Sequence, residues 1–281
     1  MSHALVDIGI LTRTTSENRY LDRLMTSLNT VSAGMPADIL VESGEQLTKV
    51  EKRIRLFRRS QAKLLVLLED DTEVMHDGWL VNLICRMSTF PNTAILNPAE
   101  TRHPVEEVPE EALNDLTQEV SYCCGFCMVI DRESGIEPDV RVQTLDDLWL
   151  SLAARKAGWR CARTEATIIR HTKVPWGSDD AQPEDQPDKS RWGADSDYYD
   201  SDKHHRKRIH EARLMIQTFG DLARMTLPKE LVTAGTDPLC DLPDPREFYG
   251  TDPVMGIARE PKVRLQSGIW AEEEIKIGGT I

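Results

Sequence analysis

Three short strand-like runs, residues 4–11, 37–43 and 63–74, alternate with two segments whose apolar residues recur at helical spacing. In residues 18–33 the apolar positions are Leu21, Leu24, Met25, Leu28 and Val31, and Gly34 and Pro36 close the segment. Residues 46–62 carry six basic residues among scattered apolar ones and read as a second helix. Strand, helix, strand, helix, strand at this spacing predicts a parallel sheet with helical crossovers.

The pattern continues downstream. Residues 78–90 read as a helix, 92–98 as a strand, and 102–118 as a polar surface excursion. Residues 119–132 read as one long strand. Residues 145–157 predict a helix, with Asp146 at the N-cap and Gly158 at the stop. Residues 159–172 return as one strand or two. From Pro175 to Asp202 the chain is polar, acidic and carries Trp176, Trp192, Tyr198 and Tyr199, as expected of a lid over substrate or of a tether. Residues 203–225 predict a helix with a basic start, and the remainder an irregular surface wrap. The expected organisation is a catalytic α/β unit over 1–174, a loop or lid over 175–202, and a C-terminal helix and extension over 203–281.

The 281 residues suffice for a full core, and the net charge of −13 argues against a general nucleic-acid coat, which wants a basic surface. No apolar run approaches the roughly 18 residues of a membrane span, and no basic segment precedes an apolar core at the N-terminus, so a cytoplasmic protein with reduced thiols is expected. Cys124 and Cys127 form one C-x-x-C, with Cys123 beside it. Zinc would need a second pair at fitting spacing, so these read as small residues packed in a buried strand.

The chemistry concentrates where the third run ends. Leu64 to Leu68 are apolar, and Glu69, Asp70 and Asp71 follow at once. Ligands of open α/β sheets bind beyond the carboxyl ends of the strands. Three adjacent carboxylates hold one another's pKa up unless a cation joins them, and hard oxygen ligands on an open site select Mg2+ or Mn2+. Polar strand ends are common, and that plainer reading stands beside this one. Downstream, Asp146 and Asp147 open a helix, where the dipole favours an anion. Asp146 reads as a cap, and Asp147 as a residue able to take a proton from a hydroxyl. His171 ends the apolar run TIIRH, where a neutral imidazole could complete a metal's coordination, although a lone His is more often structural.

In this order, LVDIGILTRT, ADILVESGE, the basic helix, VLLEDDTEV, CCGFCMVIDR, TLDDLWLSLAARKAG and His171 resemble glycosyltransferases of the GT-A fold, family 2 type, over about residues 4–174. The resemblance implies a mixed, mostly parallel sheet flanked by helices. It implies a D-x-D-like motif, here Glu69-Asp70-Asp71, with Asp71 as metal contact and Glu69 and Asp70 near the ribose and the metal. Asp147 matches the catalytic base, His171 the metal-binding histidine, and Gly125 a glycine flooring the acceptor site. Thr12 and Arg13 match the first nucleotide-contacting loop, Glu42 the residue that reads the base, and Arg53 a basic residue of the second helix. The first loop, TRTTSEN, and the second strand end, ESGE, depart from the family's forms. No Gln-x-x-Arg-Trp motif is present, against a processive synthase.

The implied reaction is a metal-dependent, inverting transfer of sugar from a nucleotide-diphosphate donor, expected to be a UDP-sugar, to a hydroxyl acceptor. That acceptor would be a saccharide, a small molecule or a hydroxymethylated base in DNA. KHHRKR, residues 203–208, reads as a solvated helix start, with phosphate contact as the other reading. A nucleotide-sugar-binding module without turnover remains the competitor from another class. A sugar-phosphate nucleotidyltransferase would need a Gly-rich loop after the first strand, and a dehalogenase-type phosphatase would carry its acids there.

Overall fold

A computed structural model describes residues 5–12, 15, 18–44, 47–101, 113–172 and 201–237, with the backbone alone at 201–204. Arg13, the aromatic residues of the acidic loop and the C-terminal extension from residue 238 lie outside the described residues.

The first half follows the predicted alternation. Strands β1 (Val6–Leu11), β2 (Asp38–Glu42) and β3 (Leu64–Glu69) are joined by helices α1 (Arg19–Thr30) and α2 (Lys49–Arg59), and β1 pairs in parallel with both neighbours. Asn18 caps α1 by accepting from the Tyr20 and Leu21 amides at 3.1 and 3.2 Å. Thr48 and Glu51 close a reciprocal capping box on α2. Because β3 is covered on both faces, its apolar run is continuous rather than alternating. Leu64, Val66 and Leu68 pack with α1 and with α3 (Trp79–Thr89), while Leu65 and Leu67 pack with Leu56 and Phe57 of α2. Gly9 permits that close approach, since a Cβ there would lie 3.0 Å from a Leu56 methyl.

The remaining strands are β4 (Thr72–Val74), β5 (Thr93–Thr101), β6 (Thr117–Val120), β7 (Cys127–Asp131) and β8 (Arg160–His171). The sheet runs β2-β1-β3-β7-β5-β8-β4, with β6 also on β8. β7 lies antiparallel between β3 and β5, β5 pairs in parallel with β8, and β4 and β6 lie antiparallel on β8. The expected fold class, a mixed α/β sheet flanked by helices, is thus observed.

Four elements differ from the sequence reading. The third run splits into β3 and β4, with Asp70 and Asp71 in the turn between them. Residues 119–132 are two strands on different partners, because residues 121–126 leave the sheet to cross its upper edge. Asn97 holds that crossing: its side chain donates to the Cys124 carbonyl at 2.9 Å and accepts from the Cys124 amide at 2.6 Å. The helix read over 203–225 is α5 (Ser201–Phe219) and α6 (Asp221–Thr226), broken at Gly220 with φ +59°. Part of the stretch expected to be irregular forms α7 (Lys229–Thr236).

Helices α5 and α6 pack on α4 (Asp146–Lys156), and α7 packs on α5. Leu148, Trp149 and Leu152 of α4 meet Ile209, Ala212, Met215, Ala223 and Leu231 in a third apolar cluster. Cys123 and Cys127 are buried within the sheet's core. Among the described residues no helix is long and apolar enough to cross a membrane.

Candidate active site

The carboxyl ends of β1 and β3 carry the acids that the sequence singles out. The Asp70 amide donates to the Leu11 carbonyl at 3.2 Å, and the Glu69 amide to the Phe126 carbonyl at 3.0 Å, so the strand tip is pinned on both sides. Asp70 turns away from its two neighbours. Its Oδ2 accepts from Thr12 Oγ1 at 2.6 Å and from Asn18 Nδ2 at 2.8 Å, and burial raises its pKa despite these bonds. Thr12 and Asp70 are therefore brought together at the head of α1, with Asn18 as the third member.

Glu69 and Asp71 face the other way, toward His171. Strand pairing sets this meeting, because Thr72 of β4 stands opposite His171 of β8. The Thr172 amide and hydroxyl donate to the Asp71 carbonyl at 2.9 and 2.7 Å, which ties the acidic turn to the end of β8. One oxygen each from Glu69 and Asp71 and one ring nitrogen of His171 lie within 4.8 Å of one another, the spacing of a metal's ligand set. His171 Nε2 is 3.5 Å from Asp71 Oδ2, too long for a good hydrogen bond. Both His171 Nε2 and Asp71 Oδ1 are buried and lack a hydrogen-bond partner. Buried polar atoms are rarely left so, and a divalent cation would satisfy both. The donor set, two carboxylates and one imidazole, suits Mn2+ or Mg2+ through its oxygens.

Glu100 of β5 orients the imidazole through an Nδ1 contact of 2.8 Å, as outer partners of metal-binding histidines do, and Phe126 stacks on the ring at 5.2 Å. Burial would lower the His171 pKa, but Asp71, Glu69 and Glu100 outweigh it and raise the value.

Two cations of α2 flank Glu69. Lys49 Nζ is 2.5 Å from Glu69 Oε1 and remains part-exposed toward the cleft. Burial alone would raise the Glu69 pKa, yet Lys49 and Arg53 pull it down to about 2. Arg53 is fully buried; its Nη1 donates to Asp146 Oδ2 and its Nη2 donates to the Gly125 carbonyl at 3.0 Å. Arg53 thus spans the acidic strand tip, the 121–126 crossing and the start of α4. Asp146 is not the N-cap the sequence suggests. Leu145 holds that position, and Asp146, 3% exposed, is the helix's first residue and the buried partner of Arg53. A buried arginine fork demands such a carboxylate.

Asp147, beside it, is half-buried. Its Oδ2 accepts from the Gly125 amide at 3.1 Å and its Oδ1 from the Leu148 amide at 2.8 Å. Burial first, and the neighbouring Asp146 second, raise its pKa against the pull of Lys49 and Arg53. Gly125 is not on a strand. It is the close-contact point of the crossing, since a Cβ there would lie 2.5 Å from Arg53 Nη2 and 3.1 Å from Glu69 Oε1.

Glu42 stands apart from this cluster. It is buried at the end of β2 and paired with Arg59 at 2.5 Å, with Arg55 at 4.0 Å. Lys207, in the basic start of α5, is buried and donates to the Gln143 side chain, so the expected solvated helix start is only partly solvated. Lys49, Asn18 and Glu100 join the site without any sequence motif of their own. For Lys49 the signal is its place on a basic helix following a strand, whereas Glu100 becomes visible only through the β5–β8 pairing.

The chain is similar in fold to solved structures. Staphylococcus aureus TarS, residues 1–349, in complex with UDP-GlcNAc, superposes with a TM-score of 0.50 at 9% identity, over 83% of this chain and 86% of that one. The fold is that of the GT-A glycosyltransferases. GalNAc-T7 with UDP, GalNAc and Mn2+ is a further similar structure, at a TM-score of 0.48 and 11% identity, over 82% of this chain. This chain spans about half the length of the GalNAc-T7 structure, 54% of it. No protein-family model matches the sequence, and no curated protein matches it. Within the GT-A frame, Glu69, Asp71, His171 and Asp147 all lie at the carboxyl edge of the central strands.

Proposed function

We propose that this protein is a metal-dependent glycosyltransferase that moves a sugar from a nucleotide-diphosphate donor, a UDP-sugar, to a hydroxyl acceptor with inversion. The observation carrying the reading is the cluster of Glu69, Asp71 and His171, with two buried orphaned ligand atoms, next to the buried network that holds Asp147. The fold shared with TarS supports it, and that protein's structure holds UDP-GlcNAc.

Asp71, His171 and Glu69 would hold Mn2+ or Mg2+, which when bound supplies Lewis-acid stabilisation of a departing diphosphate. Lys49 lies close enough to add positive charge on the same side. Thr12, Asp70 and Asn18 shape the head of α1, where the nucleoside would rest. Arg13 belongs to this proposed donor contact as well. Arg53 acts through Asp146 and Glu69 and touches no ligand, being fully buried. Glu42, already paired with Arg59 and Arg55, would present at most one edge to a base. Asp147 would take the proton from the acceptor hydroxyl as that oxygen attacks the anomeric carbon opposite the leaving group. Its raised pKa, caused first by burial, makes it a stronger base than an ordinary aspartate.

A saccharide or small hydroxylated acceptor fits the acidic chain best. DNA carrying hydroxymethylated bases has no observation in its favour, and Lys207, one residue of the basic run, faces inward. The test is release of nucleoside diphosphate from a panel of nucleotide sugars with Mn2+ or Mg2+, repeated with Asp147→Asn. Expected is turnover that falls about 10²–10⁴-fold in the variant while UDP binding persists. Binding of donor with no turnover under any acceptor would favour a nucleotide-sugar-binding module instead.

A further inference from the structure

Helix α4 begins with the two aspartates of the site, yet it has no capping side chain of its own: its cap residue is Leu145. The segment leading into it is held instead from another helix. Glu211 of α5 is fully buried, and its carboxylate accepts five hydrogen bonds from the segment leading into α4. Oε1 accepts from the Gln143 amide at 2.8 Å and the Thr144 amide at 3.1 Å. Oε2 accepts from the Thr144 amide at 3.0 Å, the Thr144 hydroxyl at 2.7 Å and the Leu145 amide at 2.9 Å. Lys207, one turn earlier on α5, donates to the Gln143 side chain. The segment is gripped twice from the same helix, immediately before Asp146 and Asp147.

Burying a carboxylate is costly unless its oxygens are satisfied, and here the donors of residues 143–145 and the nearby charge of Lys207 offset that cost. A cap would accept from the first-turn amides of α4, so these bonds hold the lead-in segment and not the helix end. The set of five fixes the backbone direction of residues 143–145 and hence the heading of the next two side chains.

We infer that Glu211 is a positioning residue of the active site, through which α5 sets the orientation of Asp147 toward the acceptor. This rests on the base role proposed for Asp147, while the anchoring itself can be read without turnover. The donor side, built on β1, β3 and α2, meets the α4 start through the Arg53–Asp146 pair, and Glu211 bonds to neither residue. Loss of Glu211 leaves that pair in place, so donor binding is expected to persist.

The experiment compares the full chain with Glu211→Gln, Thr144→Val and Met215→Ala. In Glu211→Gln an amide group faces two or three of the donors whichever way it turns. Thr144→Val removes a single bond and serves if the first variant folds poorly. Met215→Ala removes packing from the same helix and none of the hydrogen bonds to the segment. Hydrogen exchange of the amides at 143–149 is expected to speed up about tenfold or more in Glu211→Gln, and less in Thr144→Val, with those of β1 and β3 unchanged. Binding of UDP with Mn2+ is expected to stay within about twofold, while kcat falls about tenfold or more at an unchanged donor KM. Met215→Ala is expected to lower the Tm and leave kcat per folded molecule unchanged. Unaltered exchange at 143–149 in Glu211→Gln, or a lowered Tm with full kcat, overturns the proposal. If the wild-type protein turns over no donor, the glycosyltransferase reading fails, and the exchange result alone decides whether Glu211 holds the α4 start.

Discussion

At the scale of single residues, proximity sorts the acids more sharply than their adjacency in sequence does. Glu69, Asp70 and Asp71 are consecutive, but the turn after β3 sends Asp70 to Thr12 and Asn18 while the other two meet His171. Strand alternation does not announce that split, because β3 ends at Glu69. The partner of Asp146 is not announced either, because Arg53 lies 93 positions earlier. Gly125 shows how tight the resulting network is. Gly125→Ala is expected to push Arg53 from Asp146 and Glu69, lowering stability by about 1–3 kcal/mol and weakening Mn2+-dependent UDP binding. Thermal denaturation and titration calorimetry check the two effects. Asp147 carries a pH signature as well. A base acts only when deprotonated, so with its pKa raised, turnover should fall as pH drops through a value above the usual carboxylate range. A kcat profile flat down to the ordinary aspartate range would count against Asp147 as the base.

At the scale of elements, local signals account for what was readable. Apolar spacing located β1, α1, β2, α2 and β3, and the acid-rich strand end pointed to the candidate site. Residues 119–132 read as one strand because most of the positions there suit a sheet; which neighbour each half pairs with is decided by β8 and β3, far away in sequence. In the same way the Gly220 break and α7 follow from packing among α4, α5, α6 and α7 rather than from their own periodicity. Helix α2 is the element most exposed to a local test, since it delivers Lys49 and Arg53 from a start fixed by the Thr48–Glu51 box. Thr48→Ala is expected to cost about 1 kcal/mol and to loosen the end of α2 nearest Lys49. The Tm falls accordingly, and UDP binding weakens more than the stability loss alone implies, as calorimetry would show.

At the scale of the whole molecule, the sheet collects its functional groups from distant parts of the chain and the C-terminal helices complete it from behind. The β4–β8 ladder sets His171 beside a turn at residue 71, one hundred positions earlier (171 minus 71). A cation held by Glu69, Asp71 and His171 would act as a clasp on that long excursion of chain, and clips that close long loops stabilise the most in principle. Heat resistance should therefore climb with the logarithm of Mn2+ concentration in the native protein and stay level in Asp71→Asn, a trend that differential scanning calorimetry can follow with no sugar present. The ordering of the strand edge and the readiness to receive a donor would then be a single equilibrium, set by how much free ion the surroundings contain.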